Sequence, residues 1–316
     1  MRVAILIAVL AFAAEAQAEQ RYALVLSGAS GGAKYAEQMR DWRTALSSAL
    51  IDRYGFAADR VRVLVDETDK TGEAGTAANV RTTIGALRKQ LTRDDLLLII
   101  LLGHGSYDGD TAKFNLVGPD LTATEWASLL NGLPGRLVVI NTTAASFPFL
   151  ERLSGQNRVV ITATDSAAQK YATVFPEYFV KAMREASSDL DKNGRTSIFE
   201  VFAAASAAVK QHYEQRGQLI TERAVFDDNG DGIGRESEAP GPDGSLARLM
   251  YLDAETPAAA NDPELASLIR RRRELEAEAE ALKLKKAVMP STTWEAEYEK
   301  LMIELAKVSR EIRARS

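Results

Sequence analysis

Two stretches of the chain run from a buried-strand pattern into a polar tip. Residues 95–109, "DLLLIILLGHGSYDG", lead into His104 and Gly105. Residues 137–149, "LVVINTTAASFPF", lead into a cluster of small residues, Thr142, Thr143, Ala144 and Ser146. A histidine at one strand end and a small-residue turn at the next is an arrangement suited to a base and a nucleophile. Thiol chemistry is excluded, because the chain contains no cysteine and the thiolate is the nucleophile in such enzymes. The hydroxyls of Thr142, Thr143 and Ser146 remain, with Thr143 and Ser146 as the alternative nucleophiles and His104 as base. A hydroxyl needs a base within hydrogen-bond reach. Asp108 and Asp165 are available carboxylates, but no G-x-S-x-G turn is present. The second histidine, His212, lies in a separate helical stretch. Two widely spaced histidines are too few for a metallohydrolase centre. "SGASGGAK" at 27–34 lacks the glycine spacings of nucleotide loops.

The acidic loops carry a different chemistry. Residues 189–200, "DLDKNGRTSIFE", follow the spacing of a 12-residue calcium loop. Asp189, Asp191 and Asn193 stand at positions 1, 3 and 5, and Gly194 at the sharp turn. Arg195 offers its backbone carbonyl at position 7, Ser197 stands at 9, and Glu200 at 12 can bind through both oxygens. The departure is Thr196 at position 8, where an aliphatic residue usually packs. Residues 227–238, "DDNGDGIGRESE", repeat the pattern with Asp227, Asn229, Asp231 and Glu238. Gly234 and Pro240 prevent a clean helix after this second loop, and Asp, Asn and Gly are also what ordinary turns are made of. Ca2+ is the expected cofactor.

These residues need elements to hold them. Strands are expected at 21–28, 60–67, 95–102, 135–140 and 158–166. Helices are expected at 33–53, 76–91 and 122–130, the first with Met39, Trp42, Leu46 and Leu50 on one face. The alternation predicts an α/β fold with a doubly wound, mainly parallel sheet. Ligands of such sheets sit beyond the carboxyl ends of the strands, where His104 and Ala144 both fall. Helices at 176–188 and 198–215 flank the first acidic loop, an EF-hand-like helix–loop–helix. The last segment changes composition. Leu268, Leu275 and Leu282 are seven apart, and Trp294, Tyr298, Leu301, Leu305, Val308 and Ile312 follow at heptad steps after a Pro-containing break. That predicts a C-terminal α-helical hairpin.

The ordered set of a His-Gly strand end, the "TAAS" turn at 143–146 and "RVVITATDS" at 158–166 resembles the caspase-like cysteine peptidases, and the legumain branch with its bacterial relatives most. The resemblance covers roughly residues 21–231. In that family the His-Gly pair and a cysteine about 40 residues on form the catalytic dyad. The resemblance implies a vestigial dyad here, His104 and Gly105, with Ala144 at the nucleophile position and Ser146 in register. It also implies a caspase-like sheet, and a cleft that binds a peptide or protein without cleaving it. Two alternatives are an active peptidase-like hydrolase using Thr143 or Ser146, and a calcium-stabilised structural module.

Residues 1–18 have the form of a signal peptide. Arg2 supplies the charge, residues 3–14 the apolar core and residues 16–18 a small-residue cleavage site before Glu19. The apolar run is too short to span a bilayer core of ~30 Å as a helix. The expected organisation is a leader (1–18), a sheet domain (19–252), a Pro/Ala-rich linker (253–263) and the hairpin (264–316). The expected location is periplasmic or secreted, with no membrane contact after leader removal. The net charge of −5 comes from 39 basic and 44 acidic residues. Apart from four arginines at 270–273 the charges are mixed, which argues against a nucleic-acid partner. The hairpin is the expected surface for self-association or docking.

Overall fold

The computed structural model describes residues 19–66, 69–70, 72–253 and 262–315. The expected leader at 1–18 and residues 254–261 of the expected linker lie outside the described residues. The chain opens with β1 (Arg21–Ser27), α1 (Ala33–Ser48), β2 (Val61–Val65), the short β3 (Glu73–Ala74), α2 (Ala77–Gln90) and β4 (Leu96–Leu102). It continues through β5 (Gly105–Tyr107), β6 (Ala112–Phe114), β7 (Leu121–Thr122), α3 (Ala123–Leu130), β8 (Arg136–Asn141), α4 (Phe147–Leu153) and β9 (Arg158–Thr162). The last elements are α5 (Phe175–Arg184), α6 (Ile198–Gln215), β10 (Val225–Asp227), α7 (Ser245–Leu249), α8 (Pro263–Leu284) and α9 (Ser291–Arg315).

The main sheet has the order β10-β9-β8-β4-β1-β2-β3. It is parallel except for β10, which pairs antiparallel with β9 at the edge. The side-chain period of two explains why β4 reads as an unbroken apolar run. Leu96, Leu98, Ile100 and Leu102 enter one core, with residues of α5 and α6. Leu97, Ile99 and Leu101 enter the other, with residues of α2, α3 and α4. Each core is closed by side chains at helical spacing, such as Val80, Ile84 and Leu87 on α2. On α1 the buried positions are Ala36, Met39, Arg43 and Leu46. Trp42 is only partly covered, while the Arg43 guanidinium turns inward to Ser27, Asp66 and Asp69.

Local chemistry sets several boundaries. Thr122 and Glu125 form a reciprocal capping box at the start of α3, and Ser197 and Glu200 form another at the start of α6. The helical stretch from residue 33 loosens into a π turn at Ala49–Arg53. The helix expected to reach 188 stops at Arg184, because the Ser188 hydroxyl binds the Ala182 carbonyl at 2.7 Å and closes a separate turn. The strand expected to reach 166 stops at Thr162, after which Thr164 bonds to the loop following β8. Helices α8 and α9 lie along one another. Trp294 Nε1 donates to the Leu282 carbonyl at 2.8 Å near the turn, and Arg315 meets Asp262 and Glu264 at the open end. Leu265, Ile269, Leu275, Val308 and Ile312 form their buried seam.

β4 is covered on both faces, so truncating one of its side chains leaves a cavity that the sheet cannot collapse. Leu98→Ala is expected to lower the unfolding free energy by about 2–5 kcal/mol, read as a lower midpoint in urea with an unchanged slope.

Candidate functional site

β4 and β8 are parallel neighbours, so their carboxyl ends bring the two polar tips together. Gly105 follows His104 and lies against the turn after β8. A Cβ on Gly105 would fall 2.3 Å from the Ala144 carbonyl oxygen and 2.4 Å from Thr143 Oγ1. Only a glycine permits that approach. His104 is fixed from the other side. Its Nε2 lies 3.0 Å from the Ser30 carbonyl oxygen, and since a carbonyl only accepts, Nε2 carries the proton. The Tyr35 ring meets the imidazole edge-on with centroids 4.8 Å apart.

The turn itself is sharp. Ala145 has φ 49°, a left-handed conformation that costs a non-glycine residue on the order of 1 kcal/mol. Its N–H donates to the Gln169 carbonyl at 2.8 Å. The hydroxyls around it are committed. Thr142 Oγ1 donates to the Leu101 carbonyl at 2.7 Å, and Thr143 Oγ1 to Asn141 Oδ1 at 2.8 Å. Ser146 Oγ shares a hydrogen bond of 3.0 Å with Thr164 Oγ1. All three hydroxyl residues are buried. Asp108 is exposed and bonds its own loop, where the backbone N–H groups of Thr111 and Asp110 hold its carboxyl below the usual range. Asp165 lies 3.4 Å from Arg223. His212 is elsewhere, with Nδ1 at 2.8 Å from the Tyr178 hydroxyl.

Residues with no sequence signal support this turn. Asn141 Oδ1 accepts from both the N–H and the hydroxyl of Thr143. Thr173 Oγ1 donates to the Thr142 carbonyl at 2.6 Å. The buried Glu222 carboxylate then accepts from Val174 N at 2.7 Å, Phe175 N at 3.3 Å and the Tyr213 hydroxyl at 3.0 Å. Burial pushes the Glu222 carboxyl above its usual range, against the pull of the two N–H groups.

The two acidic loops differ. Among the described residues, Asp189, Asp191 and Glu200 form a group whose carboxylate oxygens come within 4.8 Å of one another. Asp189 accepts from Asn193 N and Gly194 N, Asn193 from Arg195 N, and Glu200 from Leu190 N and Asp191 N across the loop. Three convergent hard oxygens fit Ca2+, whose shell is built from carboxylates and carbonyls. Ser197 is turned to Glu200 as a helix cap. In the second loop Asp227, Asn229 and Asp231 each accept from loop N–H groups. Glu238 stands apart from them, bound to Lys210 at 3.1 Å.

No family model matches the chain, and none of the curated proteins gives a significant match. Solved structures give distant likenesses. A Geobacter sulfurreducens protein is 14% identical, with a TM-score of 0.47, over 75% of this chain and 100% of that one. Caspase-1 from Spodoptera frugiperda is 10% identical, with a TM-score of 0.43, over 67% of this chain and 87% of that one. Its pro-form gives 10% and 0.41, over 66% and 91%.

Relief of the left-handed alanine inverts the usual sign of an alanine-to-glycine change. Ala145→Gly is expected to raise stability by about 0.5–1 kcal/mol, measured by urea denaturation. Glu222 gives a pH signature. A carboxyl raised in the fold adds stability that is full below its ordinary range and is lost as pH rises through the raised value. As pH falls from neutral toward the ordinary carboxylate range, wild type is therefore expected to gain stability relative to Glu222→Gln. A pH-independent difference between the two would remove this assignment.

Proposed function

We propose that the chain is an exported, caspase-like peptidase homologue of the legumain type that has lost its chemistry and retains its frame for recognition. It binds a peptide or protein at the cleft beside His104. Calcium in the 189–200 loop stabilises the helical region. The observation that carries the reading is Ala144. It stands beside the His104-Gly105 strand end, in a turn held sharp by a left-handed residue, where a nucleophile would belong. A methyl group cannot attack a carbonyl carbon. The flanking hydroxyls of Thr142, Thr143 and Ser146 are bonded to Leu101, Asn141 and Thr164 rather than to a base. The histidine has lost its partner, and what it keeps is its hydrogen bond to Ser30.

The leader-like residues 1–18 support export, and a chain without cysteine then draws its stability from packing and from ions instead of disulfides. The spacing of 189–200 and the convergence of Asp189, Asp191 and Glu200 support calcium as that ion. The 227–238 loop is a weaker candidate for a second ion, since Glu238 is drawn to Lys210.

The test is a peptide-library cleavage assay on residues 19–316, with and without calcium, beside His104→Ala. The expected outcome is no cleavage by either protein on long incubation. Cleavage that disappears in His104→Ala would overturn the reading and assign the chemistry to Thr143 or Ser146.

A further inference from the structure

The second half of the 189–200 loop is where the C-terminal helices join the sheet domain. Arg195 stands at loop position 7. Its guanidinium pairs with the Glu276 carboxylate on α8 and lies 3.4 Å from the centre of the Tyr251 ring. The pair is nearly closed to water, with side chains 10% and 11% exposed. The next residue, Thr196, donates its N–H to Asp253 and accepts from Leu252 N at 2.9 Å. Ile198 N donates to the Met250 carbonyl at 2.9 Å, and Ser197 bridges Tyr251 in antiparallel fashion. Residues 250–253 are thus bonded to the loop along their length. A second arginine repeats the arrangement nearby. Arg248 covers the Phe199 ring at 3.8 Å and lies 3.8 Å from Glu280 of α8. Between loop and helices lies a cavity of about 430 Å3, walled by Leu190, Phe199 and Tyr251 on one side and Tyr298, Met302 and Leu305 on the other.

We infer that Arg195 makes cation binding by the loop and the seating of α8 and α9 one equilibrium. The inference rests on the reading of this loop as a calcium site and adds what that site controls. Position 7 gives its backbone carbonyl to the ion. Binding therefore fixes the peptide plane between Arg195 and Thr196, and with it the Thr196 N–H held by Asp253 and the direction of the Arg195 side chain. Three carboxylates within 4.8 Å repel one another until a cation neutralises them. The ion-free loop is consequently the looser state, and Arg195 loses its fixed root. The Glu276 clamp and the cavity wall formed by α9 depend on that root. Coupling of this kind is reciprocal, so seating of the helices tightens cation binding by the same factor.

The absence of native cysteine makes a spectroscopic test direct. In the full chain, Lys89→Cys on α2 and Lys300→Cys on α9, both exposed, carry spin labels for distance measurement, with calcium titrated by calorimetry. The expected result is one narrow distance distribution in calcium and a broad one in chelator. Arg195→Ala keeps the backbone carbonyl. It is expected to bind calcium about tenfold more weakly and to keep the broad distribution when saturated. Should that variant fail to fold, Glu276→Gln breaks the same pair from α8. Calcium binding with identical distributions in calcium and chelator would overturn the coupling and leave the calcium reading standing. Absence of calcium binding by the wild-type chain would overturn both. An Arg195→Ala variant indistinguishable from wild type would remove Arg195 as the connecting residue.

Discussion

The approach of Gly105 to the Thr143–Ala144 turn is the contact on which the candidate site depends. Two parallel strands, each buried on both faces, can end side by side only if the chain leaving one makes room for the chain leaving the other. A hydrogen atom at Gly105 makes that room, where a Cβ would meet the Ala144 carbonyl oxygen at 2.3 Å. The turn then has to be tight, and the left-handed Ala145 is the result. Strain of this kind persists only where the surroundings over-determine it. Here the surroundings are Asn141 beneath the turn, Gln169 on the Ala145 N–H, Thr173 on the Thr142 carbonyl and Glu222 behind the loop that carries Thr173. The tight turn is thus held from several sides at once around the Ala144 methyl group.

The central sheet was legible because its strands announce themselves. The residues of β1, β4, β8 and β9 are runs of Leu, Val and Ile, and a parallel sheet buried on both faces demands such runs. What escaped were pieces too short to carry a period. The small sheet β5–β6–β7 has strands of two or three residues, and β10 has three. α4 starts with Pro148 in its first turn, a start signal attached to only seven residues. For the site, the sequence placed His104 and Ala144 at neighbouring strand ends. It could not say where Thr143 and Ser146 point, because their partners, Asn141 and Thr164, are common polar residues in no distinctive pattern. Glu222 lies 80 positions beyond Thr142 and acts on the turn through backbone N–H groups and the loop between, so spacing carries no trace of it.

The acidic loop shows one residue serving two structures. Glu200 caps α6 with one oxygen and reaches back to Leu190 and Asp191 with the other. The helix start and the loop closure are therefore a single carboxylate's work, and they rise or fall together. Three of the four arginines at 270–273 follow a similar pattern. Arg271 is matched by Glu274, Glu278 and Glu304, Arg272 by Glu276, and Arg273 by Glu19. What reads as a basic run along the sequence is, in three dimensions, matched within α8, across to α9 through Glu304 and toward the start of β1 through Glu19.

The main sheet ends in a two-residue strand on one side and a three-residue antiparallel strand on the other. Beyond the latter, Phe226 exchanges both backbone hydrogen bonds with Arg235, at 2.9 and 2.8 Å, and so closes the outer row of β10 with the chain's own loop. A sheet without a long open edge offers no template for a strand from another molecule. Among the described residues, a strand from a partner or a second copy therefore finds only short stretches of main-sheet backbone to pair with, and the accessible surface for recognition is mostly that of helices and loops.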